Sequence, residues 1–217
     1  MSAVNPQIPR ELHEVEDFFT YGKNLLSNDD VVEEIRAADQ QLHGKDFFKL
    51  EIKSSIFKNS RFTECNFASG AFFDIEFTSC DFSNSKFSGA YFSRCKFVGC
   101  KCIGMDMSET IVKESAFEGC DLSYSSFDEA KLTDVGFNSV NFSDGTMADA
   151  KLKRFSAVNS KFLRNNFFKT LLNGVDFTEN EITAPILSNP PIELHGAVLN
   201  MFQAADLIRL WGVIVKP

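Results

Sequence analysis

Residues 65–87 read CNFASGAFFDIEFTSCDFSNSKF, with phenylalanine at 67, 72, 77, 82 and 87. A helix would place apolar residues three, four and seven apart, and a half-buried strand would alternate by two; a strict five fits neither template. Extended outward from this stretch, the register runs from Phe47 to Ile182 without a slip. All 28 of its positions are apolar and 17 are Phe; the rest include Ile52, Cys102, Met107, Val112, Leu122 and Ala157. Composition reflects the same demand, since the chain holds 24 Phe against three Tyr and one Trp.

Two residues before each of these positions the side chain is mostly small, as at Ser55, Ser60, Cys65, Gly70, Cys80, Ser85 and Ala90. A large and a small residue therefore point inward together, and the other three of every five are polar or glycine-rich and face solvent. One unit, RFSAV, reverses the order with Phe155 at the small position and Ala157 at the large one. That swap conserves volume and reads as local compensation.

A fixed period over so long a stretch is the mark of a repeat architecture. The pattern over 47–182 resembles the pentapeptide-repeat family, whose units bury a central Leu or Phe and the small residue before it. The resemblance implies an all-β solenoid, a right-handed quadrilateral parallel β-helix in which four pentapeptides make one square coil of 20 residues. Twenty-eight units then make about seven coils, a tower of about 34 Å at ~4.8 Å per strand. Three segments are expected: an N-terminal extension with a capping helix over 1–46, the β-helix over 47–184, and a C-terminal dimerisation module over 185–217.

A stack of coils exposes unpaired edges at both ends, which invite aggregation unless covered. In SNDDVVEEIRAADQQL, Ser27 or Asn28 can cap a helix that places Val31, Ile35, Ala38 and Leu42 on one face. Residues 1–26, with Phe18, Phe19 and Tyr21, suggest packing rather than disorder. At the other end Pro185, Pro190 and Pro191 stop the repeats. Asn200 can then cap a helix to Trp211, Gly212 can end it, and Val213–Val215 can form a short strand.

The run Gly196, Leu199, Phe202, Gln203, Ala204, Leu207 and Gly212 resembles the C-terminal segment of the Qnr and MfpA type of pentapeptide-repeat protein. There this segment is a dimerisation module, which implies a homodimer whose interface holds Leu199, Phe202, Leu207, Leu210, Trp211, Val213 and Val215. The alternative is a monomer end cap. The resemblance also implies a partner, DNA gyrase or topoisomerase IV, protected from a quinolone or a natural toxin by a protein that imitates duplex DNA. Several Qnr proteins carry loops that bulge from the tower, and the unbroken register from 47 to 182 leaves no room for one.

Charge bears on that expectation. The net charge is -8, yet residues 47–101 carry five acids and eight bases. Residues 106–149 carry ten acids against Lys113 and Lys131, and 151–169 carries six bases and no acid. With a 20-residue coil, Glu109, Glu129 and Asp149 fall in one column, and Asp106 and Asp128 on the same face. Stacked carboxylates repel, so such a strip is a candidate imitation of phosphates for a partner rich in Lys and Arg. The alternative is a solvated face that aids solubility.

Acidity without basic runs argues against binding nucleic acid. No apolar run reaches the roughly 20 residues of a membrane helix, and the amino terminus lacks a signal-peptide pattern, so a cytoplasmic location is expected. Six cysteines without a CxxC pair are expected to be reduced thiols, and no metal or cofactor is expected. His13, His43 and His195 lie outside the repeats with no nucleophile in motif, and a filled tower offers no cleft, so no enzyme is expected. The competing function is a scaffold or regulatory repeat protein that binds another protein partner through the acidic first 46 residues.

Overall fold

The computed structural model describes residues 5–216. From Val32 onward the strands pair in parallel with the residue one coil further along: Val32 with Ile52, Phe57 with Phe77, Phe117 with Phe137, Asn166 with Ile186. The result is a parallel β-solenoid of about 9 turns, longer than the seven expected because coils continue at both ends.

Square corners explain the period. The residue two after nearly every inward ladder position has left-handed backbone, as at Glu64 (φ 57°), Ser69 (57°), Asp74 (55°) and Ser79 (53°). Such a corner costs a residue with a Cβ on the order of 1 kcal/mol, so the stack of buried rings has to offset it. Each fully buried Phe contributes about 1.5–3 kcal/mol. Phe47, Phe67 and Phe87 stack face to face with centroids 4.9 Å apart, and Phe57, Phe77, Phe97 and Phe117 at 5.4, 4.8 and 4.5 Å. After Phe117, where Leu122, Leu132 and Met147 replace rings, the aromatics meet mostly edge to face, Phe117 and Phe137 at 76°, with Phe162 and Phe167 tilted at 42°.

The helix expected over 27–42 does not form. Val32–Glu33, Ile35–Ala38 and Gln41–His43 are strands of an additional coil, with Val32 and Ala37 buried in its interior. Asp29, Glu34 and Asp39, which resemble the acids of a helix start, are instead corner residues, each at φ 54°. The helix, α1, is Phe18–Ser27, and Asp17 caps it by accepting from the Thr20 amide at 3.1 Å. Phe18 plugs the open end of the tower, its ring 5.4, 5.0 and 5.9 Å from those of Phe47, Phe57 and Phe62. Gln40 holds the plug by accepting from the Phe18 amide and donating to the Glu16 carbonyl, both at 3.0 Å. The edge of the first coil is partly covered, since His13–Glu14 pairs in parallel with Ile35–Arg36.

At the other end the register gains two residues: Asp176 bridges Val198, and the Phe177 amide donates to the Val198 carbonyl. The extra length is taken up between Ser188 and Glu193. Buried Glu193 stands in for the lost backbone acceptors, taking the Lys169 amide at 2.8 Å and the Ser188 amide and hydroxyl. Burial opposes its ionisation, but the Ser188 and Lys169 hydrogen bonds outweigh that and lower its pKa. The last helix, α2, is Met201–Arg209, with a reciprocal capping box between Asn200 and Gln203. Gln203 docks it by donating to the carbonyls of Phe177 and Asn180, both at 2.7 Å. Gly212, at φ 76°, follows the helix. Residues 213–216 form no strand, in contrast to the expectation, because no neighbouring segment offers them a ladder partner.

Candidate functional site

One face of the tower gathers the acids. Glu109 (φ 57°), Glu129 (φ 58°) and Asp149 (φ 53°) are corner residues in vertical register, all exposed. Backbone bonds fix the spacing: the Glu109 amide donates to the Asp128 carbonyl, Glu129 to Ala148, and Asp149 to Phe168. The other two expected residues lie on the same face with other tasks. Asp106 accepts from the Ser108 amide and hydroxyl at 3.0 and 2.6 Å. Asp128 reaches one coil down to accept from the Ala148 amide at 2.7 Å and from the Thr146 hydroxyl. Asp106 therefore braces its own coil and Asp128 ties its coil to the next one, and Glu109 and Glu129 are left with free carboxylates. Among the described residues no Lys, Arg or His comes within ion-pair distance of Asp106, Glu109, Asp128 or Glu129. Asp149 differs: Lys169 Nζ lies 3.8 Å below it.

Part of the basic block at 151–169 pairs with acids in the coil above. Arg154 forks onto Asp134 and Arg164 onto Asp144, each one coil above, as Arg94 does onto Asp74. The Arg154 and Arg164 hydrogen bonds lower the pKa of Asp134 and Asp144. Burial opposes ionisation at Asp74, but Arg94 and the Gln7 amide more than offset it. Elsewhere Glu118 pairs with Lys96 at 3.0 Å. Two of the block's six bases thus neutralise acids away from the strip, and a third, Lys169, marks the lower limit of the free strip. These pairs needed only the 20-residue register to be read from the sequence.

The reversed unit at Phe155 compensates in volume but not in hydrogen bonding. Its ring leans from the corner beneath Phe137, 5.1 Å away at 76°, into the space that Ala157 leaves. Phe155 is the one ring at a position that its column otherwise fills with nothing larger than Ile75 or Val135, and it wedges the next coil away. Lys151–Lys153 and Ser156–Val158 pair only with the coil above. The amides of Leu152, Arg154 and Ala157 find no backbone acceptor in the coil below. A cleft of about 330 Å³ opens beside Phe155, Ala157, Gly174 and Asp176.

The expected dimer residues divide in two. Leu207 is 3% exposed against the tower and Leu199 packs on the core, so both serve the chain's own fold. Phe202 is 74% exposed, with Leu210 and Val213 also exposed and Trp211 and Val215 half-buried. Sequence reasoning missed Met201, Ile208 and Ile214, which extend the same apolar surface. Only the docking of α2 decides which side of the helix is free.

The six cysteines are buried free thiols, and burial pushes the Cys95 thiol up to about 12. Among the described residues no group of three or more His, Cys, Asp or Glu is placed to hold a metal ion. Among the described residues no helix is long and apolar enough to cross a membrane.

Against known families, the model of the pentapeptide repeat region matches residues 70–141. No curated protein matches the sequence. Among solved structures, a trypsin-treated variant of QnrB1, a plasmid-mediated fluoroquinolone resistance protein, superposes with a TM-score of 0.66 at 19% identity, covering 83% of this chain and 90% of that one. HetL, a pentapeptide repeat protein involved in heterocyst differentiation regulation from the cyanobacterium Nostoc sp. strain PCC 7120, reaches only 0.28 at 11% identity, over 76% and 87% of the chains. At these identities the QnrB1 likeness speaks for the fold, and the HetL likeness carries no argument. The repeats are pentapeptide repeats, and the fold is that of QnrB1.

Proposed function

We propose that this pentapeptide-repeat protein is a non-enzymatic, DNA-imitating binder of DNA gyrase or topoisomerase IV that protects the enzyme from a quinolone or a natural toxin in the cytoplasm. The observation that carries the reading is the Glu109–Glu129 column, on a face where no ion-paired base neutralises Asp106, Glu109, Asp128 or Glu129 and the first base, Lys169, comes only at Asp149. Arg and Lys are placed one coil from acids elsewhere on the tower, so an unpaired column is a departure from the chain's own pattern. Carboxylates held on a rigid ladder at ~4.8 Å steps present a line of negative charge that Lys and Arg of a DNA-binding surface would meet as they meet phosphates.

The protein is further proposed to act as a homodimer. The apolar surface of Met201, Phe202, Ile208, Leu210, Val213 and Ile214 at one end of the tower is large for a soluble chain and suited to a second copy.

The test is supercoiling and cleavage by purified gyrase with a quinolone, with and without the protein. Protection is expected, together with direct binding that weakens with salt. Glu109→Lys with Glu129→Lys is expected to weaken binding at least tenfold, against less than twofold for the same changes at Glu51 and Glu64. Equal effects from the two pairs would reduce the strip to a solvated surface. No binding and no protection would refute the proposal.

A further inference from the structure

The acidic face does not end at Asp149. One coil further on, Phe168 lies directly below Ala148, since the Asp149 amide donates to its carbonyl, and Ile186 pairs below Asn166 on the same face. Around the adjoining corner Leu171 and Ile192 follow, brought level by the two-residue lengthening before Glu193. These four side chains are 40%, 57%, 58% and 51% exposed in that order. Along the sides of the tower, the other exposed large apolar side chains among the described residues are Phe48, Tyr124, Val158 and Val198. Leu171 and Ile192 also line a depression of about 600 Å³ whose walls include Pro190, Pro191, Leu194 and His195. Prolines and a backbone held by Glu193 make this wall stiff, so a group entering it meets a preformed surface.

We infer that this apolar foot and the acidic column form one continuous docking surface, for a partner that presents an aliphatic or aromatic side chain beside a row of Lys and Arg. The inference rests on the function proposed above and deepens it. Scale supports it. At ~4.8 Å per coil, Ile192 is about 14 Å below Glu129 and about 19 Å below Glu109. A standard interface covers about 800 Å² per partner, roughly 30 Å across, so a partner seated on Glu129 and Asp149 also covers the foot. The division of labour follows from physics. An exposed carboxylate row speeds and orients encounter and is screened by salt, but contributes little lasting affinity. Lasting affinity comes from apolar anchors in desolvated pockets surrounded by a polar rim. The foot is the apolar part of that arrangement on this face, and Lys169, between it and Asp149, lies over the Phe168 ring at 5.1 Å and bounds the two zones.

The experiment measures binding of the full-length protein to purified gyrase at several salt concentrations. Leu171→Asn with Ile192→Gln is compared with Glu109→Lys with Glu129→Lys, and with Val158→Ser as an exposed apolar control. The foot variant is expected to lose at least tenfold in affinity, mainly through faster dissociation, with the salt slope unchanged. The acidic variant is expected to slow association and flatten the slope, and the control to change less than twofold. Wild-type binding with a foot variant within twofold of it overturns this inference and leaves the proposed function standing. Absence of wild-type binding overturns both. Light scattering of the foot variant supplies a further outcome: conversion of a dimer to a monomer assigns the foot to a second copy and overturns the inference.

Discussion

Exchanging the reversed pair, as Phe155→Cys with Ala157→Phe, should close the split in the tower. The ring returns to the column between Phe137 and Phe177, and the corner regains the small residue that Cys95 and Cys120 supply elsewhere. Side-chain volume barely changes, so the gain lies in the backbone. The amides of Leu152, Arg154 and Ala157 recover acceptors in the coil below, each worth about 1 kcal/mol net. The double variant is therefore expected to be more stable by about 1–3 kcal/mol. The single changes behave differently: Ala157→Phe alone overpacks a filled site at a cost of about 1–3 kcal/mol. Phe155→Cys alone loses most of a buried ring, several kcal/mol less the bonds recovered, since Phe→Ala costs about 3–5 kcal/mol. Denaturant unfolding gives the stabilities, and hydrogen exchange resolved by residue gives the cause. In the wild type those three amides should exchange orders of magnitude faster than their neighbours Lys131 and Lys161; in the double variant they should be protected. Slow exchange of all three in the wild type, or a destabilised double variant with them still exposed, would refute the wedge.

Phe18→Ala removes a ring with no exposure that touches three others, so about 3–5 kcal/mol is lost, and exchange in the coils from Val32 to Phe62 should rise before that near Phe137. Phe202→Asp with Ile214→Asp should turn a dimer into a monomer by light scattering without altering the circular dichroism; a monomeric wild type would refute the proposed assembly. Glu193 has a pKa below its unfolded value, so its stabilisation is present above the unfolded pKa and is lost as pH falls through the folded one. Unfolding of the C-terminal coil should therefore advance on acidification, and Glu193→Gln should remove that dependence.

The inner ladder was legible because every core position repeats at a fixed offset and a single slip would expose a Phe. The first coil was not, since Val32 and Ala37 stand where later coils hold Phe, and Val31, Ile35, Ala38 and Leu42 also satisfy a helical face. What decides between the two is the left-handed backbone at Asp29, Glu34 and Asp39, and an acid can occupy either state at modest cost. The short strand at Val213–Val215 needed a neighbour that a single chain does not contain. The α2 cap at Asn200 was readable because its chemistry is local. The buried side of α2 was not, because it depends on Gln203 reaching Phe177 and Asn180. At the acidic face the column followed from the register alone, whereas the tasks of Asp106 and Asp128 depend on side-chain bonds that no spacing reveals.

Net charge is a poor guide to what this surface does. The tower places a base one coil from Asp74, Asp134, Asp144 and Asp149, and these pairs cancel most of their own field. A glutamate at a left-handed corner gains nothing for the fold that glycine or asparagine would not supply with less backbone strain. Glu109→Asn with Glu129→Asn should therefore leave the unfolding midpoint almost unchanged while weakening gyrase binding at low salt. Near physiological salt the Debye length is about 8 Å, longer than one coil step, so adjacent carboxylates still act together there. Toward 1 M salt it shrinks to about 3 Å, and the two glutamates no longer add to one another. An asparagine variant that binds as tightly as wild type at low salt would show that the free column is a solubilising surface. A variant that loses binding only at low salt would place the electrostatic contribution in those two residues.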